Sequence, residues 1–434
     1  MPRIALRARA RRSAVVVVLG ISLVASLATS LALSESAQAG AESVITPATG
    51  VPAGFTDTYL FTLSNPTAIA FTPDGRMLIT TDAGMLRVVE NGSLLTRPAL
   101  DLSSKICSGG ERGMMGVAVD PNFSSNNYIY VFWTFNKYGQ CPVGTDQTPV
   151  NRVSRYQLGG TSRVVAGSAK VLVDNMPSPA TNHNSGDLHF GANELLYISV
   201  GDGGCTIGDP NACEGANTNS RRLDIPNGKI LRVTRNGKVP SSNPFVSATG
   251  ARRCTAPSGV EPGNGPCVET YASGLRNPFR FAIYPGTNRV FANDVGQSTW
   301  EEINRIAPGE DYGWNIREGF CVTGSMTECT ADPRFADPQF AYDHTTDCRS
   351  ITGGAFVPTG VWGPPYENRY LFADFTCDSV FRLVPHAGSD PTAVPFFPTD
   401  GPVELEFGPS PSGEALYYLE YFTGEVHRVT GPAA

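Results

Sequence analysis

Residues 182–204 read Asn-His-Asn-Ser-Gly-Asp-Leu-His-Phe-Gly-Ala-Asn-Glu-Leu-Leu-Tyr-Ile-Ser-Val-Gly-Asp-Gly-Gly. The run 195–200 is apolar and rich in strand-forming residues, so it predicts a buried strand. A polar loop containing His183 precedes it and an acidic glycine turn follows it, and both can face one cleft. A surface histidine in a polar turn is the simpler interpretation of His183.

The second part of this stretch is one copy of a phrase that recurs along the chain. An apolar pair is followed by a turn with Pro, Gly or Asn and then by strand-forming residues. The six copies are 68–79, 116–132, 187–200, 280–292, 355–374 and 405–419. Most are followed by a further short strand with a basic residue, as in 86–89 and 230–233. Repeats of two hairpins are typical of propeller blades. The sequence therefore predicts an all-β, six-bladed β-propeller over 56–434, since a pair of β-sandwiches would not explain six similar phrases.

Four segments rich in Gly, Pro, Asn and Cys are too long to be tight hairpins. They are 133–150, 203–220, 236–268 and 306–348. Long loops on a rigid propeller usually crown one face and line a site at the axis. We therefore expect the long loops, and the site, on one face.

The first 39 residues are predicted to be a signal peptide. Five arginines precede the apolar run 14–33, and Ala37-Gln38-Ala39 has the small-x-small pattern of a signal-peptidase site. The run is close to membrane-spanning length, so a retained anchor is the alternative. The pair Arg11-Arg12 leaves twin-arginine export open. We expect a secreted or extracytoplasmic protein with a linker over 40–55 and no membrane contact after cleavage.

Charge and cysteine content narrow the possible partners and the compartment. Removing residues 1–39 changes the formal net charge from −7 to −11, which gives no electrostatic basis for nucleic-acid binding. All ten cysteines lie beyond residue 39, and an even number in an exported chain predicts disulfides. Cys205 and Cys213, like Cys254 and Cys267, are near neighbours that could close long loops. The sequence leaves the pairing open.

Short motifs follow one another in a fixed order along the chain. They are Glu111-Arg112-Gly113-Met114-Met115-Gly116, Asn182-His183-Asn184-Ser185-Gly186, Gly201-Asp202-Gly203-Gly204, Gly274-Leu275-Arg276-Asn277-Pro278, Gly296-Gln297, Glu301-Glu302-Ile303-Asn304, Tyr312-Gly313-Trp314 and Ile351-Thr352-Gly353-Gly354. This order resembles the soluble PQQ-dependent sugar dehydrogenases, the glucose/sorbosone dehydrogenase family, over about residues 60 to 430. The resemblance implies a six-bladed propeller, in agreement with the repeats. It also implies hydride transfer from the anomeric carbon of an aldose to PQQ, giving the lactone.

The resemblance implies two catalytic residues. His183 matches the base that takes the hydroxyl proton, a role that suits a neutral imidazole at neutral pH. Arg276 matches the cation beside the quinone oxygen, where negative charge develops. A turn held by side-chain caps is the plainer interpretation of the Arg-Asn-Pro motif.

Cofactor and metal positions are implied in the same way. The cofactor-binding residues are expected to be Glu111, Asn182, Asp202, Asn277, Tyr342 and Arg349. Calcium beside the PQQ is expected on the backbone carbonyls of Gly296 and Gln297. Glu269 and Glu302 match positions that can serve a second, structural calcium, although they could equally be ordinary loop carboxylates.

The chain departs from the family pattern at several positions. Asn182 precedes the base where an aspartate is common, and Glu111 replaces a glutamine that contacts the cofactor. PQQ carries three carboxylates and therefore needs cations. Arg349 can supply one, whereas Cys377 occupies the position of a second arginine. Thr345 replaces the tryptophan partner of the stacking tyrosine.

The predicted function is therefore an exported PQQ- and calcium-dependent aldose dehydrogenase that acts on a small sugar. Its electron acceptor is not identified by the sequence. The departures leave open a non-catalytic propeller that binds carbohydrate or protein. A calcium-dependent lactonase shares the architecture, but it needs convergent Glu, Asn and Asp ligands at the axis, and no such ordered set stands out.

Overall fold

The computed structural model describes residues 44–432 except 145–146, 208, 210–211 and 387–388, so the predicted signal peptide lies outside it. Within these ranges the regular structure is almost entirely β. The one α-helix found there is Phe123–Asn126, and short 3₁₀ turns lie at Glu214–Ala216 and Asn219–Arg221. None of the helices described is long and apolar enough to cross a bilayer.

Within the described residues, six antiparallel sheets of four or five strands form the blades of a propeller, and one two-stranded sheet is separate from them. The first strand is β1 (Thr56–Thr62); blade 1 then contains β2 (Pro66–Phe71), β3 (Met77–Thr81), β4 (Met85–Glu90), β5 (Ser93–Leu94) and β6 (Leu100–Asp101), and blade 2 contains β7 (Met114–Val119), β8 (Tyr128–Phe135), β9 (Val150–Gln157) and β10 (Lys170–Pro177). Blade 3 contains β11 (Ser185–Phe190), β12 (Leu195–Val200), β13 (Lys229–Thr234) and β14 (Thr270–Ala272); blade 4 contains β15 (Pro278–Ile283), β16 (Val290–Asp294), β17 (Trp300–Ile306) and β20 (Phe340–Asp343), with a separate hairpin of β18 (Arg317–Glu318) and β19 (Cys321–Val322) between β17 and β20 in the chain. Blade 5 contains β21 (Ile351–Phe356), β22 (Tyr370–Asp374), β23 (Ser379–His386) and β24 (Ser389–Pro398), and blade 6 contains β25 (Pro402–Ser410), β26 (Gly413–Glu420) and β27 (Glu425–Thr430).

The first strands of the blades surround the axis. Each packs against the first strand of the next blade, in the closed order β2, β7, β11, β15, β21, β25 and back to β2. Blade 6 takes its fourth strand from the other end of the domain, because β1 pairs with β27. The six predicted repeats coincide with the first two strands of the six blades. The predicted all-β, six-bladed propeller is confirmed.

Burial explains why these strands are apolar throughout. Every residue of β3 is buried, and so is every residue of β12 except Leu195, because neighbouring blades cover both faces of a sheet. One cluster that includes Ile79, Phe132 and Ile198 joins blades 1, 2 and 3.

The connections divide between two faces. Antiparallel neighbours run in opposite directions, so the connections after the second and fourth strands share one end of the blades, here called the upper face. The connections 136–149 and 201–228 are of this kind. By contrast, 235–269 and 307–339 follow third strands and start at the opposite face. Both return to the 201–228 connection, where Cys267 N donates to Leu223 O and Trp314 Nε1 donates to Asp202 Oδ2.

All ten cysteines are paired. The disulfides are Cys107–Cys141, Cys205–Cys213, Cys254–Cys267, Cys321–Cys329 and Cys348–Cys377. They confirm the prediction of disulfides, including the two pairs of near neighbours. Five disulfides indicate an oxidising, extracytoplasmic environment.

The predicted linker is described from residue 44 onwards and contains no strand before β1. Ile45 and Phe55 are buried. The Phe55 ring packs edge-on against Trp362 and Phe396, with centroids 4.9 and 5.1 Å away. This segment is therefore packed against blade 5.

Candidate functional site

A cavity of about 550 Å³ lies on the upper face at the ring of first strands. Five of the six first strands contribute to it, through Thr67, Met115, Phe279, Thr352 and Val403. Upper-face turns add Val295, Phe375, Tyr421 and Phe422. Its volume is within the range of small-molecule sites.

His183 lies in the connection that enters blade 3 and is 4% exposed. Its Nδ1 is 2.8 Å from Oδ1 of the fully buried Asp202. The carboxylate accepts a hydrogen bond, so it holds the proton on Nδ1 and leaves a lone pair on Nε2. Within the described residues the hydrogen bond of the ring is the one at Nδ1, and none is found at Nε2. The geometry is that of an oriented base.

Asp202 was predicted to bind the cofactor, and in the structure its carboxylate is held by protein donors. Oδ1 also accepts from Gly204 N at 2.8 Å, and Oδ2 accepts from Trp314 Nε1 at 2.8 Å. Both carboxylate oxygens are thus occupied by protein donors. Asp202 positions His183, and it supplies the orienting carboxylate that residue 182 lacks.

Arg276 lies next to this group and is 8% exposed. Its Nε and Nη2 are 3.2 and 2.8 Å from Gln297 Oε1, and Nη1 donates to Val295 O at 3.0 Å. The guanidinium carbon lies 5.4 Å from the centre of the Trp314 ring, a cation–π distance. Nη1 and Nη2 each keep one N–H without a partner in the described chain. Trp314 therefore contacts both the cation and the carboxylate that orients the base.

Glu111 and Asn277 connect these residues to the cavity. Asn277 Nδ2 donates to Glu111 Oε1 at 3.1 Å, and Glu111 Oε2 accepts from Asn184 N at 3.0 Å. Glu111 and Asn277 line the cavity. His183 and Arg276 are not among the described residues that line the cavity.

Two predicted cofactor residues lie at the edge of the site. Arg349 is exposed on the connection entering blade 5, beside Ser350, which lines the cavity. Its Nε donates to Thr346 O at 2.7 Å. Asn182 is half-buried, with its carboxamide oxygen against Gly204. A Cβ at Gly204 would lie 2.3 Å from that oxygen, and Gly204 has a φ of 73°, so only glycine fits there.

Tyr342, the tyrosine predicted to stack on the cofactor, is not among the described residues that line the cavity. It lies on β20, the fourth strand of blade 4, remote from the ring of first strands. Its buried ring stacks on Phe372, and its hydroxyl donates to Asp374 Oδ2 at 2.6 Å.

Glu269, predicted to be a calcium ligand, is held by protein donors in the structure. Its buried carboxylate accepts hydrogen bonds from Cys254 N and from both the backbone N–H and the hydroxyl of Thr255. Arg253 Nε lies 3.4 Å from it. Both carboxylate oxygens therefore accept hydrogen bonds from the protein.

The Gly296-Gln297 turn is held in a fixed shape. A Cβ at Gly296 would lie 1.6 Å from Trp300 O, so the turn requires glycine. Glu318 Oε1 accepts from the backbone N–H groups of residues 297–300, at 2.8 to 3.1 Å. No described residue donates to the carbonyl of Gly296 or Gln297. Both carbonyls are therefore available to a cation.

Buried carboxylates lie behind this turn. Burial raises the pKa of Asp294 to about 7, although the backbone N–H groups of Arg276 and Asn277 donate to it. Burial, and next the charge of Asp294, raise the pKa of Glu302 well above its ordinary value. Glu318 Oε2 is buried without a partner among the residues described. The oxygens of Asp294 and Glu302, by contrast, all accept hydrogen bonds from the chain.

A comparison with known families then decides the classification. The glucose/sorbosone dehydrogenase family model matches residues 63–394. The chain belongs to the glucose/sorbosone dehydrogenase family. Its site residues thus lie on a family scaffold, with His183, Arg276 and the turn at Gly296 brought together.

The proteins to which this chain is similar carry different names. The chain is 28% identical to an aldose sugar dehydrogenase of Escherichia coli over 302 residues, 68% of this chain and 71% of that protein. It is 26% identical to the HIPL1 protein of Arabidopsis thaliana, covering 81% of this chain but only 57% of the plant protein. The PQQ-bound aldose sugar dehydrogenase of Streptomyces coelicolor superposes with a TM-score of 0.62 at 23% identity, over 88% and 99% of the two chains. That structural likeness shows the fold.

Three contributors were not assigned a role from the sequence. Trp314 belongs to a family motif, but nothing in the motif shows that it contacts both Asp202 and Arg276. Asp294 ends an apolar strand, and Glu318 lies in a long loop. Their importance depends on contacts across blades 3 and 4, for which the sequence carries no periodic signal.

Proposed function

We propose that the protein is an exported PQQ- and calcium-dependent aldose dehydrogenase that oxidises the anomeric carbon of a sugar to the lactone. The observation that carries the proposal is the buried His183–Asp202 pair with Arg276 next to the axial cavity. The five disulfides support export. The family supports the reaction class.

The residues present fit PQQ. The cavity volume suits a small polycyclic molecule, and the guanidinium groups of Arg276 and Arg349 retain N–H groups for its carboxylates. When bound, PQQ supplies the electrophilic quinone that accepts the hydride. Arg276 is placed to stabilise negative charge at that end of the cavity.

The proton of the sugar hydroxyl goes to His183. Nε2 takes it as the hydride leaves the anomeric carbon, and the imidazole becomes an imidazolium. Asp202, 2.8 Å from Nδ1, stabilises that cation and keeps the ring in position. Burial of both residues strengthens their interaction, because little water screens it.

We propose two calcium positions. The carbonyls of Gly296 and Gln297, which have no donor among the described residues, would hold one ion beside the cofactor. A second, structural ion would lie at the unpartnered Glu318 Oε2 and the neighbouring Glu302, whose two oxygens also accept from Gly319 N and Asn304 Nδ2. Calcium chelation should lower the Tm of the wild type and have less effect on Glu302→Gln. Glu269→Gln is the control, and it should respond to chelation like the wild type.

The decisive experiment is reconstitution of the purified protein with PQQ and calcium. PQQ affinity is measured by titration and turnover by dye reduction with a panel of aldoses. The proposal requires saturable PQQ binding and calcium-dependent oxidation of at least one aldose. Absence of both would transfer support to a non-catalytic carbohydrate- or protein-binding propeller. Hedgehog-interacting protein of mouse, 29% identical over 51% of this chain, is among the relatives, and Cys377 occupies an expected arginine position, so that second function is the one to test next.

A further inference from the structure

Three aromatic residues form one side of the cavity, here called the aromatic wall: Phe375, Tyr421 and Phe422. They come from the upper-face turns of blades 5 and 6. The rings of Phe375 and Phe422 are 5.4 Å apart between centroids, and the Tyr421 ring is also 5.4 Å from that of Phe422. Tyr421 is anchored, because its hydroxyl donates to Asp82 Oδ2 at 3.1 Å.

Phe422 is unusual in its exposure. It is 72% exposed, the highest value among the exposed large apolar residues described. Its neighbours Phe375 and Tyr421 are half-buried and support it from beneath. An exposed aromatic ring that lines a cavity is suited to contact a ligand.

Polar groups also line the cavity, among apolar residues such as Met115 and Val403. Glu111 and Asn277, which precede blades 2 and 4, present a carboxylate and an amide. The cavity thus pairs hydrogen-bonding groups on one side with an aromatic surface on the other. A pyranose ring matches this arrangement, since its hydroxyl groups project from its edge while its C–H bonds give it an apolar face.

We propose that Phe422, supported by Phe375, is the surface on which a pyranose ring of the substrate stacks at the cavity mouth. This inference rests on the proposed function and names residues that determine its substrate. His183 and Arg276 are almost completely buried, whereas Phe422 is exposed. A sugar ring that touches Phe422 therefore lies away from these two residues or extends outward from the carbon that is oxidised. That ring belongs either to the reducing sugar itself or to a second unit linked to it. The cofactor is the less suitable occupant, because the residues proposed for its chemistry, His183 and Arg276, are buried whereas Phe422 is exposed.

The test uses methyl glucoside and methyl maltoside, which lack a free anomeric hydroxyl and cannot be oxidised. Their affinities are measured by NMR titration of the protein reconstituted with PQQ and calcium, and of the protein without PQQ. Phe422→Ala should weaken binding about 10-fold, equivalent to about 1.4 kcal/mol. Phe422→Trp should retain it. Tyr138→Ala is the control, since Tyr138 is 46% exposed and is not part of the cavity wall. A loss confined to methyl maltoside assigns the surface to a second sugar unit.

The outcomes separate this inference from the proposed function. Equal glycoside affinity in the wild type and Phe422→Ala overturns the inference, as does a wild type that binds neither glycoside. A variant with weakened PQQ affinity and unchanged glycoside affinity also overturns it, because the wall then serves the cofactor. Glycoside binding that depends on Phe422 in a protein that oxidises no aldose supports the inference and refutes the dehydrogenase.

Discussion

Replacement of Asp202 by asparagine tests whether the buried pair orients a base. The carboxylate accepts from three donors: His183 Nδ1, Gly204 N and Trp314 Nε1. An asparagine has one oxygen and one NH₂ group, so its NH₂ group must face a donor at one of the two former oxygen positions. If the NH₂ faces His183, the ring proton moves to Nε2 and the base is lost. If it faces Trp314, a buried indole N–H loses its partner.

The size of the effect follows from the charge that forms on His183. Two unit charges about 4 Å apart attract by about 4 kcal/mol at an effective dielectric constant of about 20. Each loss of about 1.4 kcal/mol of transition-state stabilisation slows a reaction about tenfold. We therefore expect kcat to fall about 10³-fold in Asp202→Asn. PQQ affinity should change little, because Asp202 has no atom free to contact the cofactor.

The assay is steady-state dye reduction with the reconstituted enzyme, together with PQQ titration and thermal unfolding. Asp187→Asn is a matched control, because Asp187 is also a buried aspartate paired with a histidine, His189, at 3.2 Å. That control should lose stability but keep kcat near the wild-type value. A kcat for Asp202→Asn equal to that of Asp187→Asn would refute the orienting role.

Three further predictions concern other sites. Arg276→Ala should lower kcat about 10²–10³-fold with a modest loss of PQQ affinity, and Arg276→Lys should recover part of the rate; unchanged kcat in both would make Arg276 structural. Tyr342→Phe should lower the free energy of unfolding by about 1–3 kcal/mol, because Asp374 loses a buried donor, and leave PQQ affinity unchanged; weaker PQQ binding would restore the stacking role. Burial lowers the pKa of His189, but the charge of Asp187 outweighs it and raises the pKa to about 9, above the unfolded value of about 6.5. The stabilisation that protonated His189 gives the fold is therefore complete below about pH 6.5 and lost toward pH 9. In urea unfolding, His189→Gln should lower the free energy of unfolding most at low pH and less as pH rises. A loss of unfolding free energy that does not change with pH contradicts this.

The architecture could be predicted because each blade repeats the same local pattern. The first two strands of every blade are covered on both sides, so a similar apolar pattern occurs six times in the sequence. The paths of the long connections could not be predicted in this way. Segment 307–339 starts at the lower end of blade 4 and reaches Asp202 through Trp314, and no local pattern specifies that route.

The candidate site was predictable where a motif fixes both a residue and its neighbours. His183, Arg276 and Asn277 lie in short motifs beside the axis, and the structure brings them together. Tyr342 and Glu269 matched family positions along the chain, but a position in sequence does not determine what a side chain contacts. Packing between blades buries Tyr342, and the carboxylate of Glu269 accepts hydrogen bonds from residues 254 and 255.

The pairing of β1 with β27 has a consequence for how the chain folds. Tyr418 Oη donates to Asp57 Oδ2 across 361 positions of sequence, so blade 6 has a far higher contact order than the other five blades. Closing so long a loop costs entropy before any contact repays it, and such pairings form slowly. Until β1 docks, β27 presents an unpaired edge that can recruit a strand from another molecule. A circular permutant with new termini in 102–113 would make all four strands of blade 6 consecutive. It should refold faster and aggregate less during refolding than the natural order.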